Sequence, residues 1–226
     1  MKDISFNVMK GEFVSILGPS GCGKSTILKI VSDLIKSTKG KVVLKESEND
    51  KIPSFGFVFQ DSVLLPWRTA LDNAMFPFEI IGNYTKPSKE HVRKLFNMVG
   101  LSGFENYYPR QLSGGMKQRV AIARALSYNP PFLLMDEPFG ALDAITRDIL
   151  NDSLLDIWEK TRKTVLFVTH SISEAIYLSD RIIVMGIRQG HVIKEMKIDL
   201  LRPRNEDIKI SPDFYGYVKS LRELLA

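Results

Sequence analysis

"EFVSILGPSGCGKSTILKIVSDL", residues 12–34, decides the architecture. It opens as an apolar run suited to a buried strand and closes with the periodicity of a helix. Between them stands G-P-S-G-C-G-K-S at 18–25. A strand that turns through glycines straight into a helix is the opening unit of an α/β chain. The pattern G-x-x-x-x-G-K-[ST] is matched in full and in the context it requires. Gly18, Gly21 and Gly23 let the backbone curl around Pro19, Ser20 and Cys22, so that N–H groups face inward as an anion nest. The helix that follows adds roughly half a positive charge at its N-terminus. Lys24 would reach the β- and γ-phosphates of a nucleotide, the Ser25 hydroxyl would ligate Mg²⁺, and Thr26 completes the phosphate-facing turn.

Outward from this unit, apolar runs rich in Val, Ile and Phe alternate with helical patterns. Strands are predicted at 4–8, 12–17, 41–44, 55–59, 132–135, 164–168, 181–185 and 191–195. "FLLM" and "TVLFV" are apolar throughout, as expected for strands buried on both faces. Residues 61–129 lack strand signals. Helices are predicted there at 69–82 and 89–100, the second ending at Gly100. Further helices are expected at 144–160 and 172–178, with a last one in "DFYGYVKSLRELLA" at 213–226. The organisation expected is a single domain over 1–226, with a core formed by about 1–60 and 130–226 and an inserted helical part at about 61–129.

The bulk composition narrows the function classes. The 226 residues are 44% hydrophobic, enough for a real core. Thirty-one Lys and Arg against 26 Asp and Glu leave a net charge of +5 with the signs interspersed. This favours anionic ligands weakly, and no run is dense enough to suggest nucleic acid. The lone cysteine, Cys22, excludes an internal disulfide and fits a reducing compartment. No apolar stretch approaches the ~20 residues that span a bilayer.

"FLLMDEP", residues 132–138, ends a strand in two acids. Asp136 can hold Mg²⁺, and Glu137 can polarise a water that attacks the γ-phosphate. Taken alone, the pair also reads as a helix-cap Asp and a surface Glu. His170 ends "TVLFVTH" at the C-terminal edge of a parallel strand, where α/β sheets bind ligands. A hydrogen bond from it would sense the γ-phosphate, although a lone His is more often a structural residue. His91 and His191 lack companions at metal spacing, so no zinc site is expected. Gln60 ends "FGFVF" and reads as a Mg²⁺ ligand and hinge, or as a polar loop residue. "LSGGMKQR" at 112–119 is a second glycine-rich turn opening a helix, with Ser113, Gly114 and Gly115 at its N-terminus.

With these stretches, the chain resembles the ATP-binding subunits of ABC transporters. It has "GPSGCGKST" (Walker A), Gln60 (Q-loop), "LSGGMKQR" (signature), "LLMDEP" (Walker B), "GALD" at 140–143 (D-loop) and His170 (switch His), in the family's order over nearly the whole chain. The resemblance implies a P-loop NTPase (RecA-like) core with a mostly parallel sheet, an antiparallel β part and an inserted α-helical subdomain. It implies an ATPase using ATP and Mg²⁺, with Lys24, Glu137 and His170 catalytic and Ser25, Gln60 and Asp136 at the metal. It further implies a head-to-tail pair of copies, in which Ser113, Gly114 and Gly115 close over the partner's ATP and Asp143 couples the two sites. Other implied partners are integral membrane permease subunits and, indirectly, a solute-binding protein. The implied location is the cytoplasmic face of the cell membrane.

"VFQDSVLLPWRTALDNAMFPFEIIG", "VTHSISEAIYLSDRIIVM" and "LLRPR" are similar to the nitrate/sulfonate/taurine branch of importers. There "LLPW", residues 64–67, lies where the family docks its membrane subunit. The cluster Leu64, Leu65, Trp67, Phe76 and Phe78 reads either as that groove or as core. One departure concerns the aromatic that usually stacks on adenine upstream of 4–8. Phe6 and Phe13 are nearby, but neither stands in its place. Loss of a stack worth roughly 1–3 kcal/mol implies ATP binding about ten- to a hundredfold weaker, unless another aromatic substitutes or the start is placed too late and the stacking residue lies upstream of Met1. The competing function is a soluble ABC ATPase acting on nucleic acid or the ribosome, against which stand the single unit and the absence of heptads or a basic arm. A third reading is an ATP-binding regulator without turnover, against which Glu137 and His170 argue.

Overall fold

The computed structural model describes residues 4–44, 54–186 and 190–225. These form an α/β fold with a six-stranded sheet in the order β2-β3-β4-β1-β5-β6. The strands are β1 (Phe13–Leu17), β2 (Phe55–Val58), β3 (Phe132–Asp136), β4 (Thr164–Thr169), β5 (Arg181–Met185) and β6 (Val192–Lys197). The chain divides into two compact units. One comprises Met1–Val43, Leu134–Glu137 and Trp158–Ala226, the other Leu44–Leu133 and Pro138–Ile157.

In the first unit β1 is buried at every position and pairs in parallel with β4 and β5. The register puts Phe13 across from Val165 and Leu17 across from Thr169. A strand with parallel neighbours on both sides must be apolar on both faces, which "FVSIL" satisfies apart from Ser15. β6 is antiparallel to β5 and mostly exposed. Its Lys194, Glu195 and Lys197 suit an edge that must discourage further pairing. Helix α1 (Lys24–Val31) packs on β4, and α6 (Ile172–Leu178) packs on β1 and β4. Phe214 and Leu221 of α7 (Pro212–Leu225) are buried, and that helix packs on α6.

"LLRPR" has a structural meaning in this unit. Arg204, 6% exposed, donates to Ile176 O (3.0 Å), Tyr177 O (2.9 Å), Ser179 O (2.8 Å) and Leu200 O (3.3 Å). It thereby satisfies the carbonyls that the C-terminus of α6 leaves without intrahelical partners. Burial pulls its pKa down to about 10, with the Arg202 charge adding to the effect. Arg202 lies over the Trp158 ring at 4.1 Å, and Arg162 lies 4.7 Å from the same ring. The indole edge meets Phe13, and its N–H donates to Lys163 O at 2.9 Å.

The second unit gathers α2 (Ala70–Ile81), α3 (Lys86–Met98) and α4 (Gly114–Leu126) with β2 and the first residues of β3. The Thr69 side chain caps α2 and Gly82 ends it at φ 76°. The Thr85–Ser88 capping box starts α3 three residues before the pattern at 89–100 predicts. It stops at Met98, and Gly100 takes φ 69°. Both helices pack on α4. Gly56 of β2 is required: a Cβ there would stand 2.4 Å from Ala125 O. Helix α5 (Ala144–Thr161) follows the Asp143 turn.

Two predicted strands do not form. Residues 4–8 show the period-two burial of a strand, and 41–44 carry the exposed Val42, Val43 and Leu44, but neither enters a ladder among the described residues. Side-chain alternation is local, whereas a strand also needs a neighbour for its N–H and C=O groups. The first segment is tethered instead by Arg181, which donates to Asn7 O at 2.6 Å and to Glu12.

Replacing Arg204 by Met should leave several buried carbonyls unsatisfied and lower stability by about 3 kcal/mol. The measurement is the urea midpoint, and an unchanged midpoint would mean that water replaces the guanidinium at no cost.

Candidate active site

The loop between β1 and α1 is built as its glycines demand. Gly21 and Gly23 sit at φ 80° and 105°, a region that side-chain-bearing residues enter only with strain. Gly18 is needed for space, since a Cβ there would lie 2.8 Å from Met185 O. Ser20 and Gly21 are exposed, whereas Cys22 is buried. Lys24 is buried to 4% exposure and folds back over the loop, donating to Gly18 O at 2.8 Å and Pro19 O at 3.1 Å. An ammonium held by two loop carbonyls is aimed by the backbone that forms the nest.

The end of β3 meets this loop within the same unit. Ser25 Oγ donates to Asp136 Oδ1 at 2.7 Å. Burial pushes the Asp136 carboxyl pKa up, the Ser25 bond opposes this, and the Glu137 charge adds to the rise. Glu137 takes φ 42°, a conformation that a residue of this type rarely adopts and that clusters at working sites. Its N–H donates to Val168 O at 2.9 Å, which fixes it beside the end of β4. Its carboxylate lies between Lys24 Nζ at 3.4 Å and His170 Nδ1 at 2.8 Å. His170 is half-exposed, and the residues on either side of it are held: Ser171 N donates to Thr169 Oγ1 at 2.9 Å, and Thr169 Oγ1 bonds the buried Glu174.

These positions bring Lys24, Ser25, Asp136, Glu137 and His170 into one cluster. The adjacent hard oxygens of Ser25 and Asp136 fit Mg²⁺, which takes few protein ligands and completes its shell with water and phosphate. Among the described residues no three His, Cys, Asp or Glu converge as a self-sufficient metal cage.

Gln60, Ser113, Gly114, Gly115 and Asp143 lie in the second unit. Ser113 caps α4 by accepting from Met116 N at 3.2 Å. Ser113 and Gly114 are exposed at the helix N-terminus. Gly115 is buried against α5, where a Cβ would lie 2.8 Å from Thr146 Cγ2. Asp143 accepts from Thr146 N at 2.9 Å, a bond that holds its carboxyl below the usual range. Arg147 fixes the preceding turn through Leu142 O at 2.8 Å. Gln60 is exposed.

Several residues that hold this unit together escape a reading of motifs. Gln118, in the tail of "LSGGMKQR", donates to Phe59 O at 3.2 Å. Arg119, its neighbour, donates to Val99 O at 3.0 Å and leaves no room for a Cβ at Gly100. Arg124 donates to Ser62 O and Val63 O at 2.9 and 2.8 Å, and burial lowers its pKa. The fully buried Asn73 accepts from Leu65 N at 2.7 Å and donates to Leu65 O at 3.1 Å. Trp67 itself is 71% exposed, whereas Phe78 is buried; the Arg68 guanidinium lies 5.1 Å from the Phe76 ring. The cluster around "LLPW" is thus core at Phe78 and surface at Trp67.

Comparison with known proteins agrees with this geometry. The family model described as ABC transporter matches residues 1–140. An uncharacterized ABC transporter ATP-binding protein of Methanocaldococcus jannaschii is 49% identical, over 100% of this chain and 84% of its own length. The chain belongs to the ABC transporter ATP-binding family. Also similar is the aliphatic sulfonates import ATP-binding protein SsuB of Bacillus anthracis, 47% identical over 91% of this chain and 81% of the relative. Among solved structures, the ATP-binding cassette MJ0796, in a dimeric post-hydrolysis state bound to ADP and Pi, superposes with a TM-score of 0.75 at 40% identity. It covers 89% of this chain and 91% of that one.

The cassette is therefore an ATP-binding ATPase, and the cluster brings a buried ammonium, two carboxylates and an imidazole together at one edge of the sheet. Phe13 is fully buried against Phe167 and Trp158, so it offers no face to a base. In the cassette, Lys24→Ala should weaken ATP binding at least about a hundredfold, because the charge-assisted contacts to phosphate vanish while the glycine nest survives. Nucleotide titration checks this, and an unchanged affinity would exclude Lys24 from phosphate recognition.

Proposed function

We propose that this ATPase energises a membrane importer of a small anionic solute, of the aliphatic sulfonate type or a relative of it. The observation that carries the reading is Trp67: a large aromatic 71% exposed, on a segment moored from beneath by Asn73 and Arg124. An indole held rigidly in water is the profile of an anchor awaiting a partner. The SsuB relatives, named for aliphatic sulfonate import, support the solute class. Among the described residues no helix is long and apolar enough to cross a membrane, so separate permease subunits would supply the pathway, with a solute-binding protein delivering the cargo. The cassette would then work at the cytoplasmic face, as a peripheral subunit.

Two copies would act together. The exposed N-terminus of α4, with Ser113 and Gly114, offers N–H groups and a positive dipole end to a phosphate. In the proposed arrangement that phosphate belongs to a second copy's ATP, and Asp143 couples the two sites. The dimeric structures of MJ0796 support this pairing. Residues 61–129 would be the helical part that carries both the signature turn and the permease contact, joined to a core of 1–60 and 130–226.

Within each site, Lys24 would offset the β- and γ-phosphate charge while the nest from Gly18 to Thr26 wraps the phosphates. Mg²⁺ held by Ser25, Asp136 and Gln60 would supply charge neutralisation across the phosphates. Glu137 would accept hydrogen-bonding from the attacking water and orient it in line. His170, now on Glu137, would donate to a γ-phosphate oxygen and so distinguish ATP from ADP.

Glu137→Gln should lower turnover at least about a hundredfold while leaving ATP bound and stabilising the pair, since the amide keeps shape but loses basicity. Turnover assays with size-exclusion chromatography in ATP decide it, and surviving hydrolysis would remove Glu137 as the base. Trp67→Asp should abolish recovery of the permease on the cassette while isolated turnover stays within about twofold, because an anchor lost from a hot spot costs binding rather than chemistry. A loss of folding in that variant, or co-purification of the native protein with RNA or DNA in place of a membrane protein, would overturn the importer reading.

A further inference from the structure

The helix that carries the signature turn also grips both flanks of Gln60. Upstream, the buried Gln118 of α4 donates to Phe59 O at 3.2 Å. Downstream, the Arg124 fork donates Nη1 to Val63 O at 2.8 Å and Nη2 to Ser62 O at 2.9 Å. Val63 stands at φ 43°. That is left-handed backbone, which a β-branched side chain enters only when its surroundings force it. The strained residue is the one whose carbonyl Arg124 holds. Val63 is itself 58% exposed, so burial of its own side chain does not offset the strain.

We propose that Arg124 is a positioning residue that makes the Gln60 loop an extension of α4, so that any displacement of the helix reaches Gln60. The inference rests on the reading that Gln60 serves the nucleotide and that Ser113 and Gly114 serve the second copy. A planar guanidinium bonded to two successive carbonyls resists both sliding and rotation, which one ammonium cannot do. With the fork released, Val63 relaxes toward negative φ, and Gln60, three residues upstream, moves with it. Engagement of a phosphate at the N-terminus of α4 and placement of Gln60 thereby become one event.

The test is MgATP turnover by the purified full chain in a double-mutant cycle of Arg124→Lys and Val63→Gly, with urea midpoints for each variant. Arg124→Lys should lower kcat about tenfold with KM within about twofold, the signature of lost placement rather than lost binding. Glycine accepts φ 43° without strain, so in the Val63→Gly background the same change should lower kcat less than about twofold. Dilute guanidinium chloride, matched against sodium chloride, should restore turnover to Arg124→Ala. Unchanged kcat in Arg124→Lys, or equal losses in both backgrounds, overturns the proposal. Should Arg124→Lys unfold, the double variant decides: turnover near that of Val63→Gly supports the clamp, and turnover about tenfold below it overturns the clamp. Gln60→Ala separates the two levels. Lower turnover there with normal turnover in Arg124→Lys removes the clamp alone. Normal turnover in Gln60→Ala removes the role given to Gln60, and the clamp with it.

Discussion

Leu17 lies across from Thr169 in the parallel ladder, and Glu137 N donates to Val168 O one step away. This shared level constrains the candidate site of the first unit. Parallel strands all point the same way, so their C-terminal ends come out on one edge and the segments that follow must meet there. The phosphate loop leaves β1 at Gly18, the acids leave β3 at Asp136 and Glu137, and His170 leaves β4. A slip of one residue between β1 and β4 would turn the facing side chains over and separate the lysine from the carboxylate it touches. Burial at every position of β1 and β4 secures the register, because every side chain there has a buried neighbour to satisfy.

A fold with that edge has to balance charges where water is scarce. Lys24 is nearly inaccessible, yet it rests against two carbonyls and a carboxylate. Asp136 is buried, which raises its pKa, and the charge of the neighbouring Glu137 adds to the rise. Such an arrangement is tense rather than optimal, with a buried cation and two acids set against one another rather than against water. Stability is supplied away from the edge, by Trp158 packed between core aromatics and arginines and by Arg204 closing the end of α6.

Much of this was legible in the residues, and the limits of legibility have a physical cause. "GPSGCGKS" and "LLMDEP" could be read because their chemistry depends on neighbours in sequence, and the structure brings Lys24, Ser25, Asp136, Glu137 and His170 together. The helices of residues 61–129 were visible through period and caps. What escaped were single polar side chains that bond distant backbone: Asn73 to Leu65, Gln118 to Phe59, Arg124 to Val63 and Arg204 to Ile176. No spacing rule announces a guanidinium that meets a carbonyl sixty residues away. The segments 4–8 and 41–44 fail for the mirror reason. Their patterns suit strands, but among the described residues no neighbour pairs with them, and a local pattern does not contain one. "LLPW" was readable only as an ambiguity between groove and core, and the structure divides the cluster between an exposed Trp67 and a buried Phe78.

The chain's two tryptophans occupy opposite environments. Trp158 is sealed at 3% exposure with arginines over its ring, while Trp67 stands 71% in water. An indole's emission follows the polarity around it, so the sealed ring contributes the blue side of the spectrum and the wet ring the red. Covering Trp67 would drain the red component and leave the blue one untouched. The protein thus carries its own optical gauge of whether that face is occupied, with an internal reference in the same chain and no label required.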